Sequence, residues 1–445
     1  MPQDSAVIIV GAGMAGLAAA CALARSGVLV SILEARDRIG GRVFTLHDPA
    51  SECPIELGAE FIHGRPPEIW KTLRKSKIEI LEMEGDSWCT DHGKLRPCDF
   101  FSQVDDLLEK MTPKSPDESF LAFLKRLPAA KNDSERETRR RATSYVSGFN
   151  AADPSLVGVQ WLVKGMKAEE RIEGDRVFRA RNGYEDLLNI FREQIGADEI
   201  TLHTGCVVET VTWKPGKIKI TARERGHRRT FHTARAILTL PLSLMKAPPG
   251  KAGVVKFDPA LPPEKIQALG KLEMGHVIRV VLRFRRRFWE TISPSPRKNL
   301  SRMSFLFTQD KWFPTWWTSL PQKNPILTAW APFRSAEKLS GQSHAFVVER
   351  ALRSLAKSLA IPAKNIRAEL ENAYVHDWQS DPFSRGAYSY GKVGANRAQQ
   401  ILARPLENTL FFAGEATDTI GHNGTVHGAI ASGHRAARQI LQNSR

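Results

Sequence analysis

"AVIIVGAGMAGLAAACALARSGVLVSILEA", residues 6–35, decides the fold. Its apolar run at 6–10 predicts a buried strand that leads into Gly11, Gly13 and Gly16. The alanine-rich stretch to about Arg25 predicts a helix, and residues 28–33 predict a second strand that ends at Glu34. Strand, glycine turn, helix, strand and acid in this order form a dinucleotide-binding fingerprint. Gly11 permits the tight turn, Gly13 lets the backbone approach a pyrophosphate, and Gly16 lets the helix lie close on the sheet. The free N–H groups at the helix start favour phosphate. Glu34 can accept hydrogen bonds from ribose hydroxyls, and its charge disfavours a 2′-phosphate.

The chain has 445 residues, which makes two structural domains the default. A hydrophobic fraction of 42% and a charged fraction of 25% are those of a globular protein. No apolar run approaches the ~20 residues of a membrane helix, and the N-terminus lacks a cleavable leader pattern. Cys21, Cys53, Cys89, Cys98 and Cys206 are odd in number and lack C-x-x-C spacing. That reads against a disulfide framework and a zinc site, and fits a reducing, cytoplasmic location. The formal charge is +16, with runs at 136–142 ("RETRRRA") and 283–288 ("RFRRRF"). These runs lack interleaved aromatics and match no binding module, so no nucleic-acid partner is expected.

The fingerprint alone does not separate NAD from FAD. After the acid comes "EARDRIGGRV" (34–43), with Arg36, Gly40, Gly41 and Arg42. Here the chain resembles the flavin-containing amine oxidase family, which includes monoamine oxidases, polyamine and spermine oxidases and lysine-specific histone demethylases. Further segments carry the same resemblance: "IELGAEFIHG" (55–64), "RARNGYEDLLNIF" (179–191), "ARAILTLPLSLM" (234–245), "FDPALPPEKIQALGKLEMG" (257–275), "YVHDWQSDPFSRGAYSY" (374–390) and "LFFAGEATDTIGHNGTVHGAIASGHRAARQIL" (410–441).

The resemblance implies a chain of the α/β class. Its Rossmann-like, discontinuous FAD-binding domain would use residues 1–70, 180–245 and 390–445. A second, α+β substrate-binding domain would use 71–179 and 246–389. The cofactor contacts it implies are Gly11, Gly13, Ala15, Gly16, Glu34, Ala35, Arg36, Gly41, Arg42, Gly58, Ala59, Glu60, Val208, Trp378, Gly414, Glu415, Thr425 and Val426. Arg42 would meet the pyrophosphate, as a guanidinium on a diphosphate is a strong pairing. Ala387 stands where monoamine oxidases carry a cysteine joined to the flavin, so the FAD is expected to be non-covalent.

The catalytic positions implied are Arg279, Trp378, Tyr388, His63 and Thr425. Trp378 would stand beside the flavin, with Tyr388 as one wall of a substrate cage. His63 would lie at the substrate entrance. Thr425 replaces the second cage tyrosine of monoamine oxidases. Arg279 lies on the expected strand "GHVIRVVLRF" (275–284), sharing one face with Val277, Val281 and Arg283. That face either meets water or lines a cavity. The family commonly has lysine at this position, facing the flavin, so the resemblance turns Arg279 inward and leaves Arg283 solvated.

The expected reaction is oxidation of an amine C–N bond, with hydride transfer from the α-carbon to flavin N5. Imine hydrolysis follows, and O₂ reoxidises the flavin with release of H₂O₂. Arg279 keeps two alternatives open: it could bind a carboxylate, as in an amino-acid oxidase, or weaken the oxygen step, as in an amine dehydrogenase. A flavin-stabilised binding protein without turnover is the reading from another class. His63 and Glu60 lean toward a polyamine substrate, and the basic surface leans the other way. The expected partners are a small-molecule amine and O₂, with no metal, no nucleic acid and no membrane. The sequence does not set the oligomeric state.

Overall fold

A computed structural model describes residues 6–91, 93–195 and 198–442. The fingerprint folds as expected, with a strand at Val7–Val10, a helix at Met14–Ala24 and a strand at Val30–Leu33. The first strand is apolar throughout and buried throughout, because strands pair with it on both sides, helices cover the face of Val7 and Ile9, and the strands Cys206–Lys214 and Lys217–Glu224 cover the face of Ile8 and Val10. Five parallel strands form this sheet, in the order Ile200–His203, Val30–Leu33, Val7–Val10, Arg235–Leu238, Leu410–Phe412. They come from widely separated parts of the sequence. The helix Met14–Ala24 packs on the helix Val426–Gln442. Glycine sets both close approaches of the fingerprint helix. A Cβ on Gly16 would lie 2.0 Å from the Gly11 carbonyl oxygen, and one on Gly433 would lie 2.2 Å from that of Ala15.

A seven-stranded mixed sheet lies apart in the topology, in the order Leu370–His376, Val277–Phe284, Ile326–Pro332, Thr315–Thr318, Met303–Phe307, Asp86–Asp91, Lys94–Pro97. Val277–Phe284 is second from one edge, paired antiparallel on both sides. Ile278, Val280, Leu282 and Phe284 enter one apolar core with the helix His344–Leu359. On the other face Val281 packs with Cys53, Ile55 and Tyr374. Both faces are therefore buried, and alternation alone does not say which one is functional. Three helices, Phe100–Leu108, Asp133–Phe149 and Val159–Glu170, share a further core and flank this sheet.

Two sequence expectations fail. Cys89 and Cys98, nine residues apart on the hairpin of strands Asp86–Asp91 and Lys94–Pro97, are joined in a disulfide. An odd cysteine count only rules out complete pairing, and a hairpin brings two such side chains together. Cys21, Cys53 and Cys206 are free and buried, and the pair removes the cysteine-based ground for a reducing compartment. Arg283 is not solvated either: it pairs with Asp48 at 3.3 Å and with Glu371. No helix among the described residues is long and apolar enough to cross a membrane.

Candidate active site

The carboxyl ends of the parallel strands open on one cavity of about 1150 Å³. Gly11, Glu34, Thr239 and Gly414 each follow such a strand and line it, which is where open α/β sheets bind nucleotides. Of the positions expected to contact cofactor or substrate, all line this cavity except Gly16. Gly16 sits behind the wall, holding the helix against the turn.

The nucleotide end is built from short, committed contacts. Glu34 accepts from the Ala12 N–H at 2.7 Å and the Arg36 N–H at 2.9 Å, and burial raises its pKa. Arg36 donates to Asp381 at 2.6 Å and to Ser384 at 3.0 Å. Arg42 donates to the Ala387 carbonyl at 2.6 Å and to Glu415 at 3.0 Å. The other Glu415 oxygen accepts from Ser389 Oγ at 2.6 Å and the Gly424 N–H at 3.0 Å. Ser389 was not legible as a site residue; it becomes one by bonding Glu415. The close approach that Gly58 permits here is to the protein's own backbone, that of Arg42: a Cβ would lie 1.9 Å from its carbonyl oxygen. At Val208 the strand Cys206–Lys214 shifts register against its neighbour, which disturbs the regular pairing of its backbone there.

A dinucleotide flavin fits these residues. A Cβ at Gly13 or at Gly414 would meet nothing within 4 Å, so bare backbone faces open cavity at both points. Thr425 caps the helix Val426–Gln442: its Oγ1 accepts from the Gly428 N–H at 3.0 Å and donates to the His422 carbonyl at 2.7 Å. The positive end of that helix thus reaches the cavity wall, where it favours negative charge.

The opposite wall is aromatic. Trp378 is fixed by donation from Nε1 to the Leu57 carbonyl at 2.8 Å, and the Tyr388 hydroxyl donates to the Phe149 carbonyl at 2.7 Å. Burial keeps Tyr388 a neutral phenol by raising its pKa. His63, on the short strand Ile62–His63, stacks edge-on with Phe149 at 5.2 Å. Burial lowers its pKa, which favours the neutral ring.

Arg279 faces inward, on the cavity wall, and is only 6% exposed. Its Nη1 donates to the Glu56 carbonyl at 2.8 Å, and its Nη2 lies 3.3 Å from Glu60. Its guanidinium sits 5.3 Å from the Trp317 ring and 5.7 Å from that of Trp330. Glu60 also pairs with Arg179 at 2.8 Å and accepts from Trp317 Nε1 at 3.0 Å. Sequence reasoning missed Arg179, Trp317 and Trp330; only their three-dimensional convergence on Glu60 and Arg279 reveals them. Glu60 is thereby spent on internal partners, which removes the ground for counting it as a polyamine anchor.

Comparison with known proteins accords with this geometry. A family model described as flavin containing amine oxidoreductase matches residues 103–441, and an NAD(P)-binding Rossmann-like domain model matches residues 9–76. The chain belongs to the flavin-containing amine oxidoreductase family. This amine oxidoreductase is 27% identical to polyamine oxidase 4 of Oryza sativa subsp. japonica, over 97% of its own length and 87% of the relative's. It is also 27% identical to the lysine-specific histone demethylase 1 homolog 2 of Arabidopsis thaliana, but spans only 58% of that protein. Among solved structures it shares its fold with putrescine oxidase bound to putrescine (TM-score 0.81, 22% identity, 99% of each chain). It shares it also with cyclohexylamine oxidase from Brevibacterium oxydans IH-35A (TM-score 0.78, 19% identity, 100% of each chain). The enzyme is FAD-dependent and oxidises small-molecule amines.

Proposed function

We propose that this enzyme holds FAD without a covalent bond and oxidises the C–N bond of an amine bearing a second, protonated nitrogen, that is, a diamine or polyamine. One observation carries the substrate class. Although the chain is strongly basic, residues 105–175 line the cavity with six carboxylates (Asp105, Glu109, Glu137, Glu169, Glu170 and Asp175) against three cations (Arg140, Arg141 and Lys167), and two of those cations pair with Glu137. Asp105, Glu109, Glu170 and Asp175 would hold a distal ammonium while the reacting nitrogen enters the apolar end. Polyamine and putrescine oxidases among the relatives support the same class.

When bound, FAD supplies the two-electron acceptor for the amine and hands the electrons to O₂. Glu34, Arg36, Arg42 and Glu415 would grip its ribose and phosphate portions, with the helix start at Thr425–Val426 favouring negative charge at the far end. Trp378 and Tyr388, each pinned by one hydrogen bond, would orient the substrate. The neutral His63 ring adds no positive charge at the substrate entrance, which suits a site whose reacting amine must be uncharged. Arg279 is engaged by Glu60 and the Glu56 carbonyl, which speaks against its pairing with a substrate carboxylate and so against an amino-acid oxidase. The two-domain division at 1–70, 180–245 and 390–445 against 71–179 and 246–389 is supported by the separate five- and seven-stranded sheets, although Lys256–Asp258 pairs with the first group.

The test is anaerobic. Spermidine and putrescine are expected to bleach the flavin, with benzylamine and L-amino acids far slower. Preferential bleaching by an amino acid would overturn the substrate class, and no bleaching by any amine would favour a binding role. Acid precipitation should leave FAD in the supernatant; flavin retained on the protein would contradict non-covalent binding.

A further inference from the structure

We propose that Glu169, His422 and His427 form a site for a divalent cation of the zinc class in the wall of the cavity. Glu169 lies at the end of the helix Val159–Glu170, His422 in the loop that precedes the helix Val426–Gln442, and His427 in that helix's first turn. One donor atom from each lies within 4.8 Å of the others. His422 Nδ1 and Glu169 Oε1 are 3.4 Å apart, and the two imidazole rings are 4.6 Å apart between centroids.

Two buried polar atoms of this cluster lack a hydrogen-bond partner among the described residues: Nε2 of His427, a residue only 3% exposed, and Oε2 of Glu169. Buried groups of this kind are normally satisfied, so an orphan pair inside one cluster points to a ligand. The loop is held in place independently of the cluster. Asp418 Oδ1 accepts from the N–H groups of Ile420, Gly421 and His422 at 2.8–2.9 Å, and Asn423 donates to the Glu415 and Asp418 carbonyls.

Two imidazoles and one carboxylate are the donor set of an open zinc site, with the fourth position left for water or ligand. Metal–donor distances of about 2.0–2.2 Å set tetrahedral donors roughly 3.3–3.6 Å apart. The His422–Glu169 pair already has that separation, and His427, whose donor atom lies within 4.8 Å of both, would draw in to complete the set. Glu169 and His427 line the cavity, which gives the ion its entry path. His422 and His427 are close in sequence, but the third ligand, Glu169, lies 253 residues before His422, so the set is visible only in the fold.

Equilibrium dialysis of the metal-stripped, flavin-bound protein against Zn²⁺, followed by atomic absorption, tests the site. One zinc per chain is expected. His422→Ala and Glu169→Gln should each weaken retention at least tenfold, while His227→Ala, at an exposed histidine, should leave it unchanged. Bound-flavin absorbance and the thermal midpoint report whether each variant is folded. If His422→Ala does not fold, the near-isosteric Glu169→Gln decides alone. Zinc that is not retained, or is retained equally by Glu169→Gln, would overturn the site.

Discussion

The guanidinium of Arg279 and the carboxylate of Glu60 meet at 3.3 Å inside the protein, and the same carboxylate holds Arg179 at 2.8 Å. Two buried cations thus share one anion. Removing the carboxylate leaves both uncompensated, and breaking a buried pair is costly. Glu60→Gln should therefore lower stability by about 3 kcal/mol or more, measured by urea unfolding. The double variant Glu60→Gln, Arg279→Met should recover part of the loss. Equal losses in the two would mean that the charges do not communicate.

Position 279 should matter more to oxygen than to the amine. Lysine at this site cannot reproduce the planar grip on the Glu56 carbonyl, Glu60, Trp317 and Trp330. In rapid-mixing experiments, Arg279→Lys is expected to change flavin reoxidation by O₂ several-fold and flavin reduction by substrate much less. Unchanged reoxidation would remove this residue from the oxygen step.

Glu415 connects Arg42, Ser389 and the Gly424 N–H in one charged knot. An amide there keeps the shape and loses the charge. Hydrogen bonds to charged groups contribute about 1.5–3 kcal/mol, so Glu415→Gln should weaken FAD binding roughly 10- to 100-fold. Flavin fluorescence quenching on titrating the apoprotein reads the change. Full affinity in the variant would assign Glu415 to the fold alone.

Glu56 predicts a pH dependence. Burial lifts its carboxyl to about 7 from an ordinary 4.5, against hydrogen bonds from Tyr184 N–H and Thr45. Below the lower value both folded and unfolded chains are protonated, so the group has no effect. Between the two, the unfolded chain releases its proton and the folded chain keeps it, so stability falls as pH rises. Above 7 the loss is complete, at about 3 kcal/mol. Glu56→Gln should therefore gain stability relative to the wild type between about pH 5 and about pH 8. A stability gap that does not vary with pH would show that Glu56 titrates as an exposed acid does.

The nucleotide half was legible because its chemistry is local: glycines, a helix start and an acid follow one another within 6–35. The substrate half was less so. Arg279 lies on a strand buried on both faces, so alternation offered two equivalent readings and only the resemblance chose between them. Its partners, Glu60 and the Glu56 carbonyl, lie far away in sequence, and no spacing announces them. Lys265 shows the same limit: the resemblance located its segment, but its work depends on another helix. Fully buried, it donates to the carbonyls of Ile401, Leu402 and Arg404 at 2.8–2.9 Å, where the helix Ala398–Ala403 ends.

The order of the five parallel strands also bears on biosynthesis. The strand Leu410–Phe412 and the helix Val426–Gln442 emerge from the ribosome long after Val7–Val10, yet they complete the same nucleotide crevice. A stalled or prematurely ended product lacks that edge and would stay colourless. Colour is thus a visual record that translation reached the far side of the sheet.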